Sequence, residues 1–80
     1  MIQSKAIFSK NLTLFRIERG LDRTTAAKGI GITYQYLRYL EQGEKNPSFE
    51  IIDKICQFYQ IEPYLLFWLD YDISGSSKDL

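Results

Sequence analysis

Glycine and proline interrupt this chain at a few positions only, and that placement limits the fold more than any other feature. Gly20, Gly29, Gly31, Gly43, Pro47, Pro63 and Gly75 sit at the boundaries of stretches whose apolar residues recur at helical spacing. No Asn-Gly or Asp-Gly turn separates runs of alternating polarity, so no β-hairpin is signalled. The pattern predicts an all-α chain of five short helices, at about 4–19, 23–28, 34–42, 49–59 and 63–69.

Phe8, Leu12 and Phe15 share one face of the first segment, bordered by Arg16 and Arg19. Ile7, Leu14 and Ile17 form a second stripe on the opposite side, which one core cannot use. Asp22 is a good N-cap for the second segment, and the small Ala26 and Ala27 allow a close helix neighbour. Gly29-Ile30-Gly31 reads as a turn. Thr33 caps the third segment and Gly43 ends it, with Leu37 and Leu40 inward and Tyr34, Gln35, Arg38 and Tyr39 outward. Ser48 caps the fourth, whose inner stripe is Ile52, Ile55, Cys56 and Tyr59. Pro63 opens the fifth at its first helical position. Residues 1–73 read as one domain with a short apolar C-terminal extension, and 74–80 as a frayed polar tail.

Composition narrows the function classes. Eighty residues, 45% of them hydrophobic, suffice for one small core and exclude a disordered chain. No apolar run approaches ~18 residues, and the N-terminus lacks a secretory leader pattern, so no membrane partner is expected. Cys56 is the only cysteine, which excludes an internal disulfide and fits a reducing, cytoplasmic setting. It falls on an inner stripe, where it reads as a small buried hydrophobe. With no histidine, a His-based triad and a His/Cys zinc cage are both excluded. No carboxylate pair, nucleophile–base set or phosphate loop stands out, so neither an enzyme nor a cofactor or metal is expected.

The net charge of zero conceals an asymmetry. Residues 1–45 carry eight Lys or Arg against four acids, net +4, and residues 46–80 carry two against six, net −4. A binding face responds to the local field, screened beyond about 8–10 Å, so a basic face on the first half survives.

Two short helices joined by a glycine-containing turn, the second with a polar outer face, make a helix-turn-helix pattern. The surrounding residues add weight: Arg16-Ile17-Glu18-Arg19-Gly20-Leu21, Ala26-Ala27, Gly31-Ile32-Thr33, Leu37, Leu40-Glu41-Gln42-Gly43, Pro47-Ser48, Ile52, Ile55-Cys56 and Ile61 through Phe67. Over roughly residues 8–67 this run resembles the Cro/C1-type (XRE, lambda-repressor-like) helix-turn-helix family. The resemblance implies a five-helix DNA-binding domain whose third helix lies in the major groove of double-stranded DNA. The groove is ~12 Å wide and admits one helix.

On that resemblance Tyr34, Gln35, Arg38 and Tyr39 are the candidate base readers. Gln35 is the clearest, since its amide can pair bidentately with adenine, worth ~1–3 kcal/mol of discrimination. Tyr34 and Tyr39 fit a thymine methyl, a phosphate or a partner protein equally well, and Arg38 suits a phosphate better than a guanine. Arg23, Thr33, Tyr36, Lys45 and Asn46 are the phosphate candidates. Capping, core packing or plain solvation accounts for several of these as well. Arg23 departs from the family pattern, which usually has a glutamine there; an arginine keeps phosphate affinity and adds charge. The resemblance also implies a structural ion pair between Arg16 and Glu41, and removing one partner of such a pair costs ~3–5 kcal/mol.

The core needs roughly Phe8, Leu12, Phe15, Leu21, Ala27, Ile30, Ile32, Leu37, Leu40, Phe49, Ile52, Ile55, Cys56, Tyr59, Ile61, Leu66 and Phe67. Ile7, Leu14, Ile17, Ile51, Phe58, Leu65, Trp68, Leu69, Tyr71 and Ile73 are left without a place. That much apolar surface calls for a cover. A two-fold dimer through Phe58, Leu65, Trp68 and Leu69 is the favoured cover, and a fold-back of residues 68–73 over Ile7, Leu14 and Ile17 competes with it. The expectation is a sequence-specific transcriptional regulator of repressor or controller type, dimeric on a near-palindromic operator. The alternative is a protein-interaction module on the same fold, an antitoxin or antirepressor.

Overall fold

The computed structural model describes residues 3–69. Its elements are α1 (Ser4–Glu18), α2 (Arg23–Ile30), α3 (Tyr34–Glu41), α4 (Phe49–Tyr59) and a closing 3-10 helix (Pro63–Phe67), with no strand among the described residues. Residues 70–73 of the expected extension and the 74–80 tail lie outside the described residues.

Three helices begin where a side chain satisfies a free backbone amide. Asp22 accepts from the Thr25 amide at 2.8 Å, Thr33 from the Tyr36 amide at 3.0 Å, and Ser48 from the Ile51 amide at 3.1 Å. The hydrogen bonds from Thr25, its backbone amide foremost, hold the Asp22 carboxyl below the usual carboxylate range.

The second helix runs two residues beyond its expected end at Lys28. Gly29 stays helical, and Gly31 ends the helix in the left-handed region at φ 97°, donating its amide to the Ala27 carbonyl at 2.8 Å. Gly29 has a packing role instead: a Cβ there would run into the Phe58 ring.

The expected fifth α-helix at 63–69 is corrected to a shorter 3-10 helix, so the architecture is four α-helices and one 3-10 turn. Asn11 gives a physical reason. Buried in α1, it donates from Nδ2 to the carbonyls of Leu66 at 3.0 Å and Trp68 at 2.9 Å, with the Leu65 carbonyl at 3.4 Å. Two of these carbonyls, Leu65 and Leu66, are the ones a further α-turn needs. Trp68 accordingly turns extended, at φ −78° and ψ 122°.

Phe8 and Leu12 from α1, Leu37 and Leu40 from α3, Ile55 from α4 and Leu66 meet at the centre, all fully buried. Ala26 and Ala27 are buried too and let α2 pack against α3 and α4. Two expected core aromatics are displaced outward. Phe49 is 84% exposed, because at the first helical position of α4 its side chain leans toward the N-terminus, a turn short of the inner stripe that starts at Ile52. Phe67 is 41% exposed, with its ring stacked on Phe8 at 5.8 Å between centroids. Ile51 and Phe58, expected to lack a place, pack partly against the core. No described helix is long and apolar enough to cross a membrane.

Candidate nucleic-acid interface

The third helix is anchored on one side and open on the other. Leu37, Leu40 and Glu41 are spaced three, four and one apart and face the interior. On the remaining surface Tyr34 and Gln35 are exposed, and Tyr36, Arg38 and Tyr39 are half-buried. The loop after α3 folds back along this surface, bringing the Lys45 ammonium 5.4 Å from the centre of the Tyr39 ring. Thr33 and Asn46 are exposed at the two ends. The Thr33 oxygen accepts as a helix cap, and its hydroxyl proton is left to donate.

Beneath this surface lies a charged cluster. The Glu41 side chain is 1% exposed, and its carboxylate faces two guanidinium groups. Arg16 grips it with two bonds, Nε to Oε2 at 2.7 Å and Nη2 to Oε1 at 3.0 Å, and donates its Nη1 to the Leu21 carbonyl at 2.9 Å. Arg23 adds a third bond, Nε to Oε1 at 2.8 Å. One carboxylate on α3 is thereby tied to α1 and to α2. Two cations against one anion leave a net positive charge at the junction of the helix-turn-helix.

Arg23, the expected phosphate ligand, therefore also takes part in the charged cluster. It is joined to α3 through Glu41, and its side chain keeps 29% of its surface exposed. The Glu41 hydrogen bond chiefly strengthens its charged form, raising its pKa, and the Tyr34 hydroxyl contributes a smaller share.

Three residues outside the expected site support it. Asn11 locks the 3-10 helix to α1. Ser9 donates from its hydroxyl to the Leu40 carbonyl at 2.8 Å, fastening α1 to the end of α3. Arg19 lies over the rings of Phe15 and Tyr59, at 5.4 and 5.0 Å, and donates to the Tyr59 carbonyl at 3.1 Å. A polar residue on the apolar side of α1 was the available signal for Ser9 and Asn11. Which carbonyls they reach depends on packing between distant segments.

The candidate dimer residues divide in two. Phe58 and Leu65 are half-buried, and the Phe58 ring rests on Gly29 and against the Tyr59 ring at 4.9 Å, so it offers less free surface than expected. Trp68 and Leu69 are 51% and 68% exposed, with the exposed Tyr64 ring at the edge of Trp68. Ile17 is exposed, whereas Ile7 and Leu14 are half-buried.

The fold and this surface define a small all-helical unit of the helix-turn-helix class, in which a clamped helix presents one polar, aromatic face. The chain belongs to the helix-turn-helix family HTH_3, whose model matches residues 12–66. It is 36% identical over 56 residues to the cryptic phage CTXphi transcriptional repressor RstR of Vibrio cholerae, covering 69% of this chain. The match spans about half, 50%, of that relative's length. Among solved structures, the restriction-modification controller protein C.AhdI of Aeromonas hydrophila superposes with a TM-score of 0.75 at 31% identity, covering 80% of this chain and 93% of that one. The hypothetical transcription factor NHTF from Neisseria shares the fold, with a TM-score of 0.78 at 23% identity over 82% of this chain and 76% of that one.

Proposed function

We propose that this chain is a sequence-specific DNA-binding transcriptional regulator of repressor or controller type, reading the major groove with α3. The single observation that carries the reading is the clamped helix: α3 is fixed from behind by Glu41 while Tyr34 and Gln35 are exposed in front. Family membership supports it, and so do the repressor and controller names of two relatives. In this reading Gln35 pairs with a base edge, Tyr34, Arg38 and Tyr39 flank it, and Thr33, Tyr36, Lys45, Asn46 and the exposed part of Arg23 meet the backbone. No catalysis and no cofactor enters, and the working compartment is the cytoplasm.

A two-fold dimer accompanies the reading, with Trp68 and Leu69 as its main contact and Leu65 and Phe58 at its margin. Such a dimer sets two reading helices ~34 Å apart and favours a near-palindromic site. Selection of bound sites from a random duplex pool tests both parts. The expected result is a paired half-site motif, and Gln35→Ala should relax one position in each half. Equal, weak binding to every duplex would instead favour the protein-interaction alternative, for which the tyrosines of α3 are a suitable surface.

A further inference from the structure

We propose that Arg23 is a positioning residue for the reading helix: its Nε holds Glu41 and so fixes α3 against α2, while its outer guanidinium edge takes a backbone phosphate. One side chain then serves both the contact with the backbone and the seating of the helix that reads bases. The inference rests on the proposed DNA-binding reading and adds to it a residue that links its two halves.

The geometry separates the two ends of one side chain. Arg16 is spent: Nε and Nη2 on Glu41, Nη1 on Leu21, with only 12% of the side chain exposed. Arg23 commits its Nε to Glu41 at 2.8 Å and still keeps more than a quarter of its surface open. Arg16 alone already neutralises the carboxylate, so the charge of Arg23 is the surplus one in the cluster. A guanidinium has donors on both edges in a rigid plane, so it can serve a carboxylate behind and a phosphate in front. The Glu41 it holds is on α3, six residues from Gln35. The inner edge of Arg23 therefore bears on the seat of the helix that carries Gln35, and its outer edge is left for the backbone.

Two substitutions divide these roles by bond count. In Arg23→Gln the amide nitrogen falls at the same chain position as the arginine Nε, so the donor to Glu41 remains and the outer charge is lost. In Arg23→Lys the charge remains, but a methylene replaces the Nε donor. The experiment measures affinities for the duplex selected by the wild type and for one unrelated duplex, across a salt series, alongside thermal melting.

Arg23→Gln should flatten the dependence of log affinity on log salt by about one unit and keep most of the wild-type preference. Arg23→Lys should keep the salt slope and lose about tenfold in preference, the loss expected for one hydrogen bond to a charged group. In a Gln35→Ala background most of that tenfold should disappear, since the two residues act through the same helix. The inference is overturned if both variants weaken the two duplexes alike, or if the Arg23→Lys loss of preference is simply additive with that of Gln35→Ala. It is also overturned if preference falls only in step with melting temperature. A wild type without any preferred duplex would instead sink the DNA-reading function itself.

Discussion

At the scale of single residues, the least compensated group is the Tyr59 hydroxyl. It is buried, has no hydrogen-bond partner among the described residues, and burial first and the Glu41 carboxylate second push its pKa from 10.0 up to about 12. Tyr59→Phe should leave stability at neutral pH unchanged or raise it by up to about 1 kcal/mol, because an unsatisfied oxygen is removed. Alkaline pH separates the two proteins further. The folded pKa lies above the unfolded one, so from pH 10 upward the unfolded chain releases this proton first and gains relative to the folded chain. Wild-type stability should therefore fall against the Phe variant across pH 10 to 12, approaching about 2–3 kcal/mol. Chemical denaturation at stepped pH measures this, and parallel curves for the two proteins would contradict it. The ion pair of Arg16 and Glu41 was implied by the family resemblance at residue level. Its third member was not, because Arg23 read as a phosphate ligand. At the first residue of a new helix, nothing in the local sequence indicates that a side chain turns toward a carboxylate 18 positions on.

At the scale of elements, each short helix is held by a neighbour more than by its own length. Helices of eight residues, such as α2 and α3, are marginal in isolation. Gly29 shows what this demands: α4 approaches α2 so closely that the Phe58 ring occupies the space of a Cβ. Gly29→Ala should cost about 1–2 kcal/mol net, since the overpacking outweighs the helix propensity that alanine adds. A stabilised variant in urea denaturation would refute the close approach. Asn11 plays the equivalent part for the 3-10 helix. Asn11→Ala should cost about 1–3 kcal/mol and speed hydrogen exchange selectively at the Leu65 and Trp68 amides. A loss spread evenly over all helices would mean that Asn11 is not a local lock. Caps at Asp22, Thr33 and Ser48 were legible because a cap is a contact over three residues. The replacement of a fifth α-helix by a 3-10 turn was not, because its cause sits more than fifty residues away in Asn11.

At the scale of the whole molecule, two properties govern association. The first is the charge division along the chain, net +4 in residues 1–45 and net −4 in residues 46–80, so that the segment carrying α1, α2 and α3 is basic within a chain of zero net charge. The second is the exposed apolar surface that remains after folding, with Phe49, Tyr64, Phe67, Trp68 and Leu69 among its members. In the proposed dimer, Trp68→Ser should raise the dissociation constant by about thirtyfold or more, as removal of a central aromatic anchor does. Sedimentation at stepped concentrations reads this, and an unchanged mass distribution would move the interface elsewhere. The amino-acid sequence by itself determined the all-helical class, the starts of the helices and the outward face of α3, because caps and helical periodicity are set by residues within a turn or two of each other. Tertiary packing alone decided that Phe49 faces outward, that Phe58 is claimed by Gly29 and that one buried carboxylate holds three helices. Those outcomes depend on how distant surfaces share a core too small to take every apolar side chain.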